Sequence, residues 1–426
     1  MRLVSKLTSL ELEAGRSTVS NEETDSTYET VSCKAAGQRT ARARVLLPVL
    51  FLLAFVSCSV SKQPGIQNAA QQSDINGKTS PAIPSNAVTA KALPALSTLS
   101  PVQVQDLDIL ALFLAVERAR AITLSPAGTV YLWDLSTQNA YQLLKLQGGP
   151  FEVATYNPAE LLLAVARETD VRIYSVADGS EVARLKKLKT RAASLAFQPS
   201  GRSLVIGGAD GEVYRWRFME DKTATTPKEA EKFFERYFGH ANVISSVAYH
   251  PVGRIFFSGD WSGALNAWLP YDADAFGGQY LENAFGANMF SDRSTRSKAV
   301  RVANSSIEHL RVSEDGNVLL SGTQDGTLEW WNVRGFTLAA TVSAHKGLLY
   351  DIAIAPSGKV AATLGRDGRV RIWQLTRTVD KEAAKTTFAI EKSKEIDAPG
   401  VKKLIFLDET TLLLGDHTGR ISFSKL

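Results

Sequence analysis

The chain has 426 residues, of which 44% are hydrophobic and 22% charged, a composition typical of a globular protein that can fill a hydrophobic core. Its 48 basic and 44 acidic residues leave a net charge of +4, which is too small to favour nucleic acid as the main partner. Both cysteines, Cys33 and Cys58, lie near the N-terminus, so the remaining chain can hold no disulfide framework and no cysteine metal site.

Residues 1–57 are interpreted as a targeting segment. Arg39, Arg42 and Arg44 precede a twelve-residue apolar run, 45–56, which is followed by a small residue, Ser57. This order is typical of a secretory signal, and twelve residues are fewer than the about 20 that span a bilayer. Because 44 residues precede the run, which is long for a signal, a later translation start, for example at Val31, is expected.

The end of the apolar run, Phe55-Val56-Ser57-Cys58, resembles the bacterial lipobox, with Phe55 in place of the usual leucine. The resemblance implies cleavage before Cys58 and lipidation of that cysteine, which would attach the protein stably to a membrane. It also implies a location in a bacterial cell envelope, in the periplasm or at the outer membrane. An uncleaved anchor and a chance apolar stretch remain as alternatives. Residues 58–100 are rich in Ser, Gln, Asn, Ala and Pro, which predicts a flexible linker.

Residues 101–426 contain a repeat of about 42 residues. In the segments that begin at Phe238 and Ser343, a histidine precedes a tryptophan by 28 residues, with alternating apolar runs and glycine-containing turns between them. Similar segment endings recur at intervals of 41, 42, 52, 63, 42 and 51 residues. Their marker positions are Trp133, Tyr174, Trp216, Trp268, Trp331, Trp373 and Ser424. Seven endings predict seven blades of an all-β propeller.

The Trp133-Asp134 and Gly239-His240 pairs and the Asp-Gly turns resemble the WD40-repeat family. This resemblance implies a seven-bladed WD40-type β-propeller whose last blade is closed by an N-terminal strand, predicted within residues 95–105. The long intervals predict two insertions. The first, 219–238, should contain a short helix near Thr226 and an outer strand, and the second, 269–303, should project as a loop.

The family resemblance also implies a hydrogen-bonded structural tetrad in well-formed blades. The sixth blade supplies it from His345, Thr363, Asp367 and Trp373. The fourth blade has His240, Ser258 and Trp268, with Ser262 in the position of the aspartate. These side chains are expected to satisfy buried polar groups rather than to catalyse a reaction. No two of the five histidines have a metal-ligand spacing, so neither a metal nor another cofactor is expected.

In this family, partners often dock on the top rim, in the turns between the second and third strands. The residue before the turn aspartate position is Pro126, Arg167, Ala209, Trp261, Gln324, Arg366 or His417 in the seven blades. Tryptophan and arginine are enriched at binding hot spots, so Arg167, Trp261, Gln324, Arg366 and His417 are the predicted partner-binding residues, with Trp261 foremost.

Together these features predict a monomeric, non-catalytic scaffold with no catalytic residues and no cofactor, which binds protein partners but not nucleic acid. The alternative is a propeller enzyme or small-ligand binder that uses the central channel. That alternative predicts carboxylates, histidines or a metal converging at one mouth of the channel.

Overall fold

The computed structural model describes residues 92–104, 108–185, 188–221, 233–271, 297–301, 305–380 and 385–426. The chain divides into two compact units, Met1–Pro81 and Ala82–Leu426, and all described residues lie in the second. The targeting segment, Cys58 and most of the predicted linker lie outside the described residues. Within the described ranges, no helix combines the length and the apolar character needed to span a membrane.

Twenty-seven strands are described, and they form seven antiparallel sheets in chain order. Blade 1 consists of β1 (Ala111–Leu114), β2 (Arg120–Leu124), β3 (Thr129–Asp134) and β4 (Ala140–Lys145). Blade 2 consists of β5 (Val153–Asn157), β6 (Leu162–Arg167), β7 (Asp170–Ser175) and β8 (Glu181–Leu185). Blade 3 consists of β9 (Ala192–Phe197), β10 (Leu204–Gly208), β11 (Val213–Trp216) and β12 (Phe234–Tyr237). Blade 4 consists of β13 (Ile244–Tyr249), β14 (Phe256–Asp260), β15 (Ala264–Trp268) and β16 (Ser297–Arg301).

Blade 5 consists of β17 (Ile307–Val312), β18 (Val318–Thr323), β19 (Thr327–Asn332) and β20 (Thr337–Ser343). Blade 6 consists of β21 (Leu349–Ile354), β22 (Val360–Gly365), β23 (Arg369–Asp380) and β24 (Lys385–Asp397). Blade 7 consists of β25 (Val401–Phe406), β26 (Thr411–Asp416) and β27 (Ile421–Lys425). A single 3-10 turn, Leu96–Thr98, and one short helix, α1 (Phe218–Asp221), complete the described regular structure.

The strand order confirms the predicted all-β, seven-bladed propeller, because each of the seven repeat endings lies in the third strand of a blade. The first strands of neighbouring blades contact one another around the whole ring, from β1 through β25 and back to β1. They therefore line the central channel. The second strands are buried on both faces: all five residues of β10 and all five of β14 are buried. Apolar residues in these strands, such as Val205-Ile206 and Phe256-Phe257, therefore do not have to alternate with polar ones.

The predictions for the two insertions have different outcomes. The expected outer strand of blade 3 is present as β12, whereas the predicted helix near Thr226 lies outside the described residues. The expectation that 269–303 forms only a loop is wrong, since Ser297–Arg301 pairs with β15 as the outer strand of blade 4. Polar residues on β16 are compatible with an outer strand because its outward face meets solvent.

The predicted closing strand is not formed by the described part of residues 95–105. Among the described residues, blade 7 has three strands, and β27 has no second neighbour. Over the predicted segment, the chain makes the Leu96–Thr98 turn and one bridge, from Val102 to Ala140 of β4. Pro101 has no backbone N–H, which limits how much of a ladder this segment can build. The prediction of a paired strand is therefore wrong for residues 95–104.

Side-chain packing closes the seam between blades 7 and 1. Ile109, Leu112 and Trp133 form one apolar cluster with Leu413 and Ile421 of blade 7. The Asp108 N–H donates to the His417 carbonyl at 2.8 Å on one side of the seam. On the other side, the Arg118 guanidinium donates to the Leu407 carbonyl at 2.6 Å and pairs with Glu314 of blade 5. Burial of apolar surface and these bonds hold the ring together.

Candidate protein-interaction face

The turns between second and third strands occupy equivalent positions in the blades. In five blades, the backbone N–H of the residue before the turn aspartate position donates to the carbonyl of the residue just before the first strand. These pairs are Ala209 with Arg191, Trp261 with Val243, Gln324 with Ser306, Arg366 with Leu348, and His417 with Gly400, at 2.8 to 3.1 Å. The bonds bring the turns and the loops between blades to the same end of the propeller, which we call the top face.

All five predicted partner-binding residues are exposed on the top face: Arg167, Trp261, Gln324, Arg366 and His417. Trp261 has 51% of its surface exposed although its backbone is fixed on both sides, because Ser306 donates its hydroxyl to the Trp261 carbonyl at 3.1 Å. The Arg167 guanidinium donates to the Gly149 carbonyl at 3.1 Å. The turns thus hold these side chains on a firm backbone, and their role in binding stays a prediction.

Phe238 is a further exposed aromatic residue, which the sequence placed in the first insertion but did not identify as a binding residue. It lies in the loop between blades 3 and 4, is 62% exposed, and has the Arg236 guanidinium 5.0 Å from its ring centroid. Phe238 directly precedes Gly239-His240, a pair that marks a loop between blades, so its position on a top loop could have been predicted from the sequence. Blade 4 therefore presents an aromatic residue from each of its two top loops.

The predicted tetrad of blade 6 is present. The Trp373 indole N–H donates to the Thr363 hydroxyl at 2.9 Å, and that hydroxyl lies 2.9 Å from Nε2 of His345. The other ring nitrogen, Nδ1, lies 3.0 Å from the Asp367 carboxylate. Burial lowers the pKa of His345, so a neutral ring that donates from Nδ1 and accepts at Nε2 satisfies every member. The Arg371 guanidinium also contacts His345 Nδ1 and pairs with Asp367, so the network extends beyond the tetrad and stabilises the blade.

Blade 4 contains a complete tetrad: Ser262 fills the sequence position of the aspartate, as predicted, but Asp260 supplies the carboxylate. Asp260, two residues earlier, accepts from His240 Nδ1 at 3.0 Å, while Ser258 links His240 Nε2 and the Trp268 indole at 2.6 Å each. Ser262 instead donates its hydroxyl to Asp260 at 2.7 Å. Burial alone would raise the pKa of Asp260, but the bonds from His240 and Ser262 outweigh it and lower that pKa to about 2.

Polar side chains also line part of the channel wall, in the first strands of blades 5 to 7. Asp351 accepts from the Arg311 guanidinium at 3.0 Å and from the Leu404 N–H at 2.9 Å. Burial lowers the pKa of His309 to about 4, and its Nε2 lies 3.2 Å from the Leu349 carbonyl. These bonds join neighbouring blades. No group of three or more His, Cys, Asp or Glu side chains with metal-binding geometry occurs in the described ranges.

Comparisons with known proteins agree with this geometry. A family model described as "WD domain, G-beta repeat" matches residues 232–268, 297–332 and 336–374. An F-box/WD-40 repeat-containing protein of Arabidopsis thaliana is 24% identical over 283 residues, which are 63% of this chain and 47% of that protein. Protein HIR1 of Cryptococcus neoformans is 27% identical over 203 residues, 46% of this chain and 22% of that protein. The chain thus spans less than half the length of these relatives, both of them eukaryotic.

Among solved structures, the β-propeller domain of Cps50 (Swd1) from Myceliophteria thermophila superposes with a TM-score of 0.56 and 13% identity. The match covers 77% of this chain and 99% of that domain, and at this identity it shows the fold alone. Fold, blade tetrads and top turns together define a seven-bladed β-propeller. Three segments of the chain match WD40 repeats, and WD40 repeat proteins are typically scaffolds for protein interactions.

Proposed function

We propose that this WD40 repeat protein is a non-catalytic, monomeric scaffold that binds protein partners through its top rim. The observation that carries the proposal is Trp261, half-exposed on a turn whose backbone is bonded to two neighbouring loops. A large aromatic held on a rigid backbone loses little conformational entropy on binding, which is why tryptophan is enriched at hot spots. Arg167, Gln324, Arg366 and His417 extend the surface around the ring.

The central channel supports the alternative of a small-ligand or catalytic site less well. Its most polar wall, around His309 and Asp351, is made of groups that bond to neighbouring strands. A buried carboxylate that accepts from an arginine and from backbone N–H groups is stabilised in its charged form, as a structural link would be. These bonds favour a role in joining blades over a role in chemistry.

We further infer that the protein is attached to a bacterial cell envelope through lipid on Cys58. The support is the order of arginines, apolar run and lipobox-like residues in the sequence. Labelling cells with radioactive palmitate tests it: the protein should take up label, and the Cys58→Ala variant should not. Equal labelling of both, or none of either, would point to an uncleaved anchor or to an intracellular scaffold, and the eukaryotic relatives make that test necessary.

The top-rim proposal is tested by chemical crosslinking in the native cells, followed by mass spectrometry of the captured proteins. Trp261→Ala should lose specific partners that the unaltered protein captures. Val252→Ala is the matched control, because Val252 is 52% exposed but lies in a turn between first and second strands, at the opposite end of the blades. The same partners retained by Trp261→Ala, or lost equally in both variants, would contradict the proposal.

A further inference from the structure

The top face is divided into an aromatic part and a cationic part. Phe238 and Trp261 are exposed on the two top loops of blade 4. Lys346, Arg366 and Lys402 are exposed on the loop before blade 6, on a top turn of blade 6 and on the first strand of blade 7. Blade 5 separates the two sets. A ligand that touches both must therefore be long enough to reach across at least one blade.

The three cations have no carboxylate partner among the residues that the structure describes, whereas the neighbouring carboxylates are engaged. Asp367 pairs with Arg371 at 2.9 Å and with His345 at 3.0 Å. Asp416 accepts the backbone N–H and the hydroxyl of Thr418 at 2.8 and 2.6 Å. Arg371 offsets the charge of Asp367, whereas Asp416 keeps its charge because its partners are neutral. The three unpaired cations therefore leave a positive excess around the Asp367 turn.

Three further side chains shape this region. The Lys402 ammonium lies 5.9 Å from the ring centroid of Tyr350, which is itself 39% exposed, so an aromatic ring stands beside the cation. Glu308, in the first strand of blade 5, is half-buried, and burial raises its pKa. Glu308 and Asp325, which is exposed on the top turn of blade 5, therefore lie between the aromatic part and the cationic part, and the carboxylates of a bound ligand would have to lie beyond them, over the three cations.

We propose that the top face binds an extended acidic peptide segment of a partner protein. An apolar side chain of the segment packs on Phe238 and Trp261, and its carboxylates meet Lys346, Arg366 and Lys402. This rests on the proposed function and adds the chemistry of the partner to it. An extended peptide fits because it can place an apolar group and carboxylates several residues apart along one line, with charge complementarity fixing its direction.

The experiment uses the full chain and a phage-displayed library of random 12-residue peptides. Selected peptides should be enriched in Asp and Glu and contain an apolar residue. Their affinity should fall about tenfold or more for the triple variant Lys346→Glu, Arg366→Glu, Lys402→Glu, since several exposed ion pairs are reversed. The matched control reverses three exposed cations in turns at the opposite end, Arg202, Arg334 and Lys359, and should leave affinity unchanged.

The outcomes separate the two proposals. If selected peptides are neutral or basic, or depend on Trp261 but not on the three cations, the acidic class is wrong while the top-rim scaffold stands. If binding depends on neither set, or no peptide is selected, the extended-peptide proposal falls, and the crosslinking comparison of Trp261→Ala then decides the scaffold proposal separately. A 20-nucleotide single strand that competes with the peptides and binds more tightly to the same cations would reassign the surface to nucleic acid and overturn the inference.

Discussion

The tetrad of blade 4 gives a quantitative prediction for Asp260→Asn. Asp260 is fully buried and accepts four hydrogen bonds, from His240 Nδ1, from the N–H and hydroxyl of Ser262, and from the Ala264 N–H, at 2.7 to 3.0 Å. Folding lowers its pKa from 3.8 to about 2. Since a tenfold change in acid dissociation is worth about 1.4 kcal/mol, the ionised carboxylate contributes about 2 kcal/mol to the free energy of unfolding.

The sign of the pH dependence follows from the direction of the shift. A carboxyl group whose pKa is lowered by folding contributes stability above its unfolded value, here 3.8, and loses it as the pH falls toward 2. Asp260→Asn should therefore be less stable than the unaltered protein by about 2 kcal/mol at pH 7, and by about half as much at pH 3. Urea unfolding at pH 7, 4 and 3, followed by tryptophan fluorescence, measures both differences.

The control is Asp397→Asn, because the Asp397 side chain is 85% exposed and lies 3.5 Å from its nearest cation. It should change the free energy of unfolding by less than about 0.5 kcal/mol at every pH. A difference for Asp260→Asn that stays constant between pH 7 and pH 3 would refute the electrostatic reasoning, because lost packing rather than lost charge would then be its cause.

Three other changes test the packing and the buried polar networks through the free energy of unfolding in urea. Thr363→Val removes the hydroxyl partner of the Trp373 indole N–H and of His345 Nε2 and should cost about 2 to 4 kcal/mol; a cost below about 1 kcal/mol would show that the tetrad contributes little. Arg215→Met should cost about 3 to 5 kcal/mol because Glu235, 9% exposed, loses its 3.0 Å ion pair and keeps only the longer one with Arg217, at 3.4 Å; adding Glu235→Gln should recover part of that loss. No recovery in the double variant would assign the cost to packing. Gly326→Ala and Gly335→Ala both strain a backbone with positive φ, +91° and +83°, but only at Gly326 does a Cβ overlap a neighbouring carbonyl oxygen, so it should cost about 1 to 3 kcal/mol more than Gly335→Ala. Equal costs would mean that the backbone conformation alone sets the penalty.

The repeat pattern predicts the fold because every blade needs similar residues at equivalent positions. Trp133, Trp331 and Trp373 each mark a third strand, and in each of these blades the indole donates to a hydroxyl of the second strand, Thr123, Ser321 or Thr363. The structure also holds where the tryptophan is replaced, since Tyr174 and Ser424 lie in third strands as well. The number of blades is therefore predicted by the spacing of the turns rather than by the identity of one residue.

The sequence was less informative where a side chain finds its partner through a turn or across blades. Ser262 aligns with the aspartate of blade 6, but the chain supplies the carboxylate from Asp260 instead, because a residue at the end of β14 can reach the same histidine. The Arg215 guanidinium, in β11, donates to Glu235 of β12 across an insertion and to the Tyr249 hydroxyl of blade 4. Neither pairing has a fixed spacing in the sequence, so neither could be predicted from it.

The closing strand shows the same limit. The resemblance to the family implied pairing with β27, yet the described N-terminal residues bridge to Ala140, and Val104 packs into the cluster that joins blades 7 and 1. Backbone pairing between strands depends on the local geometry of both chains, whereas packing of an apolar side chain requires only that it lies close to its neighbours. The sequence therefore predicted that this segment lies at the last blade, but not its backbone bridge to blade 1.

The most direct test of the central claim, that the top rim binds protein partners, is site-specific photocrosslinking in native cells. A benzophenone side chain placed at Arg366 lies on the top face, and one placed at Lys359, equally an exposed cation of blade 6, lies in the turn at the opposite end. We expect discrete crosslinked protein bands at Arg366 that are lost when Trp261→Ala is added, and no such bands at Lys359. Bands at Lys359 alone, or bands at Arg366 that persist with Trp261→Ala, would contradict the claim.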